Sequence, residues 1–480
     1  MLRKIINVFS AALIIQCSNL ILYIVLARCL SVDDFATFRQ LFLIHGILNA
    51  VSFSALPTCL LYFSGRSETY IEKMEYINSI CIVTLMVSAA LTFFLYLSAG
   101  ELAVLFNNVA LASIIPHFSI ASVGVLFIIL MPSVLIILDQ TKTQIMLAFG
   151  SALFTMVPTI IFALNERSLI DIVRVLSIMY FFVGFTLFAV ILYFCKVSGS
   201  KSIPSRQKIF AILRYSWPLL LASGVSILGL KIDHLLISSI LGVTAYGIYS
   251  VGAFEIPIFS LAQNSVTSVL IPLVTEKLKK ADYKGAKKIW SKAITRTAWV
   301  TFPIATILIL HAEDLVVLLF GSNYQDSAPI FAIFTALVYV RVVTFGMALR
   351  SVGKTRLELL AAIIYLFFGV LGAHCLIPLY GLTGAAAWVL VNTVLMAMTL
   401  SLLTYRVTSG KLNLFRLYPK RELAISLVCL LICGSLQTHV HPYLGNALLE
   451  VFTTMILILG IWIFYFRYTD YKDILGMGGG

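Results

Sequence analysis

LKIDHLLISSILGVTAYGIYSVGAFE, at residues 230–255, consists of two apolar runs separated by a short break. The first run contains Lys231, Asp233 and His234, and the second ends at Glu255. Ionisable side chains are rare inside long apolar segments because leaving water is costly for them, so they usually face a cavity or a partner. We therefore expect this stretch to form two helices with polar groups at a functional position.

A weaker copy of the same pattern lies 211 positions earlier in the chain. Residues 30–38 (LSVDDFATF) align with residues 241–249 (LGVTAYGIY), and each copy is a short turn between two apolar segments. Both copies carry two aromatic residues three positions apart. The alignment predicts an internal duplication.

The composition is that of a membrane protein. Of 480 residues, 60% are hydrophobic and only 11% are charged, and the mean hydropathy is +1.01. Soluble domains carry about 25% charged residues. Apolar runs of about 20 residues, which can cross a hydrocarbon core of about 30 Å, recur along the chain. The predicted fold class is an all-α polytopic membrane protein.

Fourteen apolar segments are candidate transmembrane helices. They are residues 8–28, 36–63, 77–98, 110–138, 144–164, 174–195, 215–240, 246–273, 297–312, 328–349, 357–377, 381–405, 423–440 and 447–466. Six predicted spans precede the second copy of the repeat. Because six is an even number, both copies enter the membrane from the same face. We expect two parallel six-helix lobes around a central cavity, plus two C-terminal helices. A duplication without any transport function is the alternative.

The predicted lobes follow from a Ser-, Pro- and Lys-containing loop at residues 196–214. The N-terminal lobe (spans 1–6) is predicted at residues 1–195 and the C-terminal lobe (spans 7–12) at residues 215–405. Residues 196–214 form a cytoplasmic linker between them. Residues 406–480 supply two extra spans and a cytoplasmic tail.

The distribution of Lys and Arg predicts the orientation. With the N-terminus in the cytoplasm, 28 of the 34 Lys and Arg residues fall in cytoplasmic segments, and about two, Arg28 and Arg167, fall outside. This bias follows the positive-inside rule and places both termini in the cytoplasm. The net charge of +13 is therefore a topology signal, and we expect no nucleic-acid partner. The basic segment 275–296 is interpreted as an interfacial amphipathic helix on the anionic membrane surface.

No catalytic or metal-binding motif is present in the sequence. The eight cysteines lie mostly in apolar runs and none forms a CxxC pair, so they are interpreted as small buried hydrophobes. We expect no metal and no cofactor. The candidate functional residues are instead the polar groups at membrane depth.

Four ionisable residues stand out beside Lys231. Arg341 lies well inside the tenth span and either pairs with an acid, such as Asp233 or Glu255, or binds an anion through its two-pronged guanidinium. Arg39 begins the second span and either extends toward the surface or faces the cavity. Asp233 and Glu255 are candidates for coupling or gating, and the alternative is a structural charge pair, for example between Glu255 and Lys231.

Uncharged polar residues form stripes on three predicted helices. Asn19, Asn49 and Gln263 represent these stripes on the first, second and eighth spans. Such residues either hold helices together by hydrogen bonds or line a hydrated groove for sugar hydroxyls.

The chain resembles the polysaccharide (O-antigen) lipid-linked repeat-unit flippases of the multidrug/oligosaccharidyl-lipid/polysaccharide exporter superfamily. The likeness rests on four motifs that occur in the same order. They are YIVLARCLSVDDF at 23–35, IDHLLI at 232–237 followed by LG and YGIY, LFGSNY at 319–324 followed by AP, and YGLTGAA at 380–386.

The resemblance implies a flippase in a bacterial inner membrane that works by alternating access around a cationic cavity. Its substrate would be an undecaprenyl-diphosphate-linked oligosaccharide moved to the periplasmic leaflet, with membrane lipids as further partners. A polysaccharide polymerase and a chain-length regulator are the candidate protein partners. Arg39, Lys231 and Arg341 are then available for the diphosphate. Asn19, Asn49 and Gln263 are available for the sugar.

Two other functions fit the composition. A small-molecule or drug/cation antiporter would favour intramembrane acids over bases, and here both occur. A membrane polysaccharide polymerase or acyltransferase usually needs a sizeable outer loop or a His-centred site, and the predicted outer loops are short. The sequence favours the flippase.

Overall fold

The computed structural model describes residues 2–165, 167–197, 206–444 and 447–474. These residues form α-helices joined by short turns, and no strand occurs among them. The chain divides into two compact units, unit 1 (Met1–Ser250) and unit 2 (Val251–Gly480). The all-α fold predicted from hydropathy is confirmed.

The helices of the first half begin and end at the following residues. They are α1 Leu2–Cys29, α2 Val32–Ser52, α3 Leu56–Arg66, α4 Tyr70–Leu97, α5 Ala99–Leu105, α6 Ala110–Ser119, α7 Ala121–Ile137, α8 Thr141–Leu164, α9 Leu169–Val197, α10 Arg206–Leu241 and α11 Val243–Gly252.

The second half continues with eight further helices and two 3-10 turns. They are α12 Pro257–Lys279, α13 Tyr283–Leu310, α14 Ala312–Phe320, the turn Ser322–Ser327, α15 Ala328–Arg341, α16 Met347–Ser351, α17 Thr355–Val407, the turn Leu414–Leu417, α18 Lys420–Leu444 and α19 Ala447–Ile474.

Nine of the described helices are long and apolar enough to cross a membrane, or ten if the bent pair α6 and α7 is one span. All fourteen predicted segments lie on helices, but the count of fourteen spans is not confirmed. One reason is α17, whose 53 residues are two helices joined at Gly381, where φ is 58°. Glycine adopts this left-handed conformation without the steric cost that a Cβ would add.

The two compact units do not divide the chain at the predicted linker. Unit 1 extends to Ser250 because α10 packs against α2, α3 and α4. Residues 198–205 of the predicted linker, and the end of the tail at 475–480, lie outside the described residues. The lobe boundary at 196–214 therefore stays a prediction.

The interpretation of segment 275–296 as an interfacial helix is wrong. α13 runs without a break from this segment into the predicted ninth span. Ala286, Trp290 and Ile294 on its apolar face are at most 1% exposed and belong to the core of unit 2. The apolar stripe is covered by protein because α12, α15 and α18 pack on it.

Local signals in the duplicated motif set the helix ends. Ser31 caps α2 by accepting a hydrogen bond from the Asp34 amide at 3.1 Å. Asp33 and Asp34 occupy the first turn, where the helix dipole favours negative charge. In the second copy, Gly242 has a φ of 85° and separates α10 from α11.

Equivalent positions of the two copies contact each other inside unit 1. The Thr244 hydroxyl donates to Asp33 Oδ1 at 2.5 Å. A Cβ on Gly247 would lie 3.0 Å from the Cβ of Ala36. Each pair is separated by 211 positions, the offset of the repeat. Contact between like positions is what a local two-fold relation between the two copies would produce.

Small residues allow close helix crossings in both units. In unit 1, Gly124 on α7 lies against Gly184 on α9, and a Cβ at Gly184 would be 2.5 Å from the Gly124 Cα. In unit 2, Gly372 lies against Trp388 across the two arms of α17, and the Trp388 indole donates to the Phe368 carbonyl at 3.0 Å. Small residues at interfaces let helix backbones approach closely in membranes.

We predict that Gly124→Leu destabilises the protein by more than about 3 kcal/mol, because a larger side chain would overlap the Tyr180 carbonyl of α9. The measurement is the melting temperature of the detergent-solubilised protein. The control is Gly150→Leu, since a Cβ at Gly150 meets nothing within 4 Å. Equal melting temperatures for the two variants would contradict the close crossing.

Candidate functional site

Unit 1 contains a cavity of about 210 Å³ that we call the cationic cavity. Arg39 from α2 and Lys231 from α10 both line it. The other lining residues are Tyr23, Phe42, Leu43, Gly46, Ile47, Ile227, His234 and Tyr246. None of these lining residues is acidic, so the cavity combines two basic side chains with aromatic and aliphatic walls.

Arg39 is held in place by an aromatic ring and by backbone. Its guanidinium carbon lies 4.4 Å from the centre of the Tyr23 ring, a cation–π arrangement. Its Nη2 donates to the Ser250 carbonyl at 3.5 Å, a long contact. The Tyr246 hydroxyl donates to the Arg39 carbonyl at 3.4 Å. The described residues contribute no carboxylate partner to Arg39, so the guanidinium keeps donors for an anion.

Asp233 is turned away from the cationic cavity although Lys231 is two positions from it. Its side chain is buried, and Oδ2 accepts a hydrogen bond from the Tyr249 hydroxyl at 2.6 Å. His234 lines the cavity and packs edge-on against Tyr249, with ring centres 5.3 Å apart. Asp233 therefore does not line the cavity, but it contacts Tyr249 and lies next to His234.

Unit 2 contains a second polar crevice of about 30 Å³, lined by Arg341, Glu255 and Gln263. Arg341 Nη1 lies 3.7 Å from Glu255 Oε2, and Gln263 Nε2 donates to the Arg341 carbonyl at 2.8 Å. Glu255, one of the acidic partners predicted for Arg341, therefore forms an ion pair with it.

Helix ends explain why the Arg341–Glu255 pair forms. The expectation that Arg341 lies well inside the tenth span stays a prediction, and in the structure α15 ends at Arg341 while α16 begins only at Met347. Glu255 lies in the break between α11 and α12, immediately before the start of α12. A helix C-terminus favours a cation and a helix N-terminus favours an anion. Both charges therefore occupy the helix ends that suit them.

The three polar residues expected to line one sugar groove lie in different surroundings within their units. Asn19 is exposed on α1, and Gln263 belongs to the crevice of unit 2. Asn49 is buried in unit 1 and contacts His45 Nδ1 at 3.1 Å, and His45 Nε2 contacts the Ser122 hydroxyl at 3.1 Å. Neither Asn19 nor Asn49 lines the cationic cavity.

Two features of unit 1 are absent from the sequence-based list of site residues. The first is the aromatic wall of Tyr23, Phe42 and Tyr246, for which the only signal was that Tyr23 and Tyr246 belong to the quoted motifs. The second is Gln40, fully buried, whose Nε2 donates to the Ser238 hydroxyl at 2.7 Å. Polarity alone does not indicate which of these residues reach the cavity.

Among the described residues, no group of three or more His, Cys, Asp or Glu side chains is placed to hold a metal ion. The cationic cavity of unit 1 offers two basic side chains and the faces of three aromatic rings.

Solved transporter structures share this fold. The chain is similar to the inward closed conformation of the lipid II flippase MurJ, with a TM-score of 0.73, 14% identity, and coverage of 97% of this chain and 99% of that one. It is also similar to an inward-facing multidrug resistance MATE family transporter of the MOP superfamily, with a TM-score of 0.63, 15% identity, and coverage of 82% and 94%. At these identities the similarity establishes the fold.

A curated relative and a family model connect the sequence to polysaccharide synthesis. The chain is 27% identical over 207 residues to the capsular polysaccharide biosynthesis protein CapF of Staphylococcus aureus. That match covers 42% of this chain and 50% of the relative, so it spans half of the relative's length. The model described as "Polysaccharide biosynthesis protein" matches residues 25–329. This confirms the resemblance predicted from the motifs: the chain belongs to the polysaccharide biosynthesis protein family, as a multi-pass membrane protein.

Proposed function

We propose that the chain is a flippase that moves undecaprenyl-diphosphate-linked oligosaccharide repeat units, of O-antigen or a similar surface polysaccharide, across a bacterial inner membrane. The observation that supports this most is the cationic cavity, where Arg39 and Lys231 line one space together with three aromatic side chains. A diphosphate is costly to move through an apolar medium because its charge loses hydration. Two fixed cations lower this cost by replacing water with charge-assisted contacts.

The aromatic wall supports the same substrate class. Tyr23, Phe42 and Tyr246 present apolar faces next to the cations, and aromatic side chains combine an apolar body with a polar tip. A ligand whose charged group adjoins a sugar or lipid surface matches this lining better than a free inorganic anion does. Neither a nucleophile nor a metal site is needed for such a role, in keeping with a transporter.

Arg341 supplies a further cation in unit 2, and Glu255 compensates its charge at rest. In this proposal the diphosphate competes with Glu255 for Arg341, and Glu255 acts as the coupling group. Asp233 acts as the corresponding gating group in unit 1 through its hydrogen bond with Tyr249. Transport then proceeds by alternating access, with both termini in the cytoplasm. A polymerase and a chain-length regulator would act on the product.

Deletion of the gene in its host tests the function. We expect loss of surface polysaccharide and accumulation of undecaprenyl-linked single repeat units facing the cytoplasm, measured by lipid extraction and mass spectrometry. Arg39→Ala and Lys231→Ala should each restore the polysaccharide roughly ten- to hundredfold less well than the wild type, since each removes charge-assisted hydrogen bonds to the substrate.

The matched control is Arg174→Ala, which removes an exposed cation paired with Asp171 on α9. It should restore the polysaccharide fully. Single units that reach the outer surface without being polymerised would instead identify a polymerase. Unchanged polysaccharide with altered sensitivity to cationic drugs would identify an antiporter.

Variants of the Arg341–Glu255 pair distinguish a role in substrate binding from a structural role. The pair is partly exposed, so we expect Arg341→Ala and Glu255→Gln each to change the unfolding free energy by less than about 1 kcal/mol. Arg341→Ala should lower transport by more than about tenfold, whereas Glu255→Gln should retain substrate binding. The measurements are complementation, retention of lipid-linked substrate on the purified protein, and melting temperature.

Glu276→Gln, which breaks the exposed Glu276–Lys280 pair, is the control for the loss of an ion pair in the same unit. If Arg341→Ala and Glu255→Gln reduce transport, binding and stability to the same extent, the pair is structural only.

The orientation can be read from two exposed positions in unit 2. In a variant without native cysteines, Asn323→Cys, next to α14, should react with a membrane-impermeant maleimide in spheroplasts. Lys411→Cys, after α17, should react only after lysis, because the positive-inside rule places it in the cytoplasm. The opposite labelling pattern would reverse the proposed orientation.

A further inference from the structure

Unit 1 contains another cavity, distinct from the cationic one, that we call the aliphatic cavity. Its volume is about 300 Å³, and α1, α7, α8 and α9 enclose it. Small and branched aliphatic side chains such as Ala11, Ile15, Ile128 and Leu135 form most of its wall. Its lining contains no aromatic and no ionisable residue. The volume lies at the lower end of the range of about 300–1,000 Å³ typical of small-molecule sites.

One buried polar group in this lining lacks a partner. Gln144, near the start of α8, is 5% exposed, and its side-chain carbonyl oxygen Oε1 has no hydrogen-bond donor among the described residues. Ser151, which also lines the cavity, donates instead to the Ala148 carbonyl of its own helix at 3.0 Å. Buried polar atoms are nearly always hydrogen-bonded in folded proteins, so an unpaired acceptor at a cavity points to a ligand with a donor.

The two observations together restrict the chemistry of the ligand. An acceptor without a partner requires an N–H or O–H donor. A charged donor is disfavoured because no carboxylate lines the cavity and a cation would lose its hydration without compensation. A flexible aliphatic body fits a wall that lacks flat aromatic faces. The ligand class is therefore an uncharged amphiphile with a hydroxyl group and a hydrocarbon chain.

We propose that the aliphatic cavity binds the hydroxyl-bearing end of an uncharged membrane lipid or fatty alcohol, with the hydroxyl donating to Gln144 Oε1 and the chain against Ala11, Ile15 and Ile128. The site is independent of the proposed flippase activity, since it shares no lining residue with the cationic cavity. The chain would thus hold a lipid in addition to its transported substrate.

Photolabelling tests this site without any transport assay. The purified protein in phosphatidylcholine nanodiscs is irradiated with a diazirine analogue of 1-dodecanol, and the labelled peptides are mapped by mass spectrometry. We expect label on α1, α7 and α8. Excess 1-dodecanol should reduce this label about fivefold more effectively than 1-methoxydodecane does, because the ether lacks the donor.

Two variants test the hydrogen bond to Gln144 and the volume of the aliphatic cavity separately. Gln144→Leu should remove the preference for the alcohol over the ether while leaving the melting temperature unchanged or higher, since it replaces an unpaired buried acceptor. Ala148→Phe, which fills the cavity, should reduce the label. The control Met146→Phe, on the exposed side of α8, should not.

Several results would overturn the proposal. Equal competition by the alcohol and the ether would mean that Gln144 is satisfied by water alone. Label spread evenly over the lipid-facing helices, and unaffected by Ala148→Phe, would mean that the cavity holds no specific ligand. A lower melting temperature for Gln144→Leu would assign the amide a structural role. Each of these outcomes leaves the flippase proposal unaffected.

Discussion

A charge that leaves water must find compensation inside the protein, and this constraint shapes both units. Arg39 and Arg341 are only partly exposed, so protein contacts replace part of their hydration. In unit 1, Arg39 is stabilised by the π face of Tyr23 and a backbone carbonyl, and no described carboxylate pairs with it. In unit 2, Arg341 is stabilised by Glu255. In the proposed function, the first arrangement would leave a cation for an anionic ligand, whereas the second would require the ligand to compete for its cation.

Interruptions of the helices place these groups. α11 ends at Gly252 and α12 starts at Pro257, so Glu255 falls in the gap. The gap after α15 follows Arg341 directly, and Thr344 within it has a φ of 51°. Helix ends leave backbone groups without partners inside the helix, and in a membrane these breaks are tolerated where protein or a cavity covers them. The ends also carry the partial charges that favour Arg341 and Glu255 where they are.

Other polar residues hold the helices of unit 1 together. Asn108 donates to Gln40 Oε1 at 2.5 Å, and Gln40 donates to Ser238, which joins α2, the turn before α6, and α10. Asn49 takes part in a second buried network through His45. Interhelical hydrogen bonds of this kind stabilise membrane bundles. A polar stripe on a predicted helix is therefore weak support for a substrate groove.

Gly381 and Gln144 differ in how far the sequence could predict them. The break at Gly381 lies between two spans that hydropathy did separate, although the helix continues on both sides of it. Nothing in the sequence distinguishes Gln144 from any other amide in a predicted span. Only the structure shows that its described neighbours supply no hydrogen-bond donor to its side-chain oxygen. For Arg341, the sequence left two interpretations open: an ion pair with an acid such as Asp233 or Glu255, or the binding of an anion. It could not choose between them because it contains several acids and bases at similar depth.

The sequence by itself determined the all-α membrane fold, the positions of its apolar segments and the family, and it predicts the repeat at an offset of 211. These depend on local hydrophobicity and on short motifs, which act within one or two helical turns. Only the tertiary structure decided that Arg39 and Lys231 share a cavity, that Asp233 turns to Tyr249, and that the apolar stripe of α13 is buried. Lys231 comes nearly 200 positions after Arg39, and their meeting depends on how α2 and α10 pack, which no local pattern encodes.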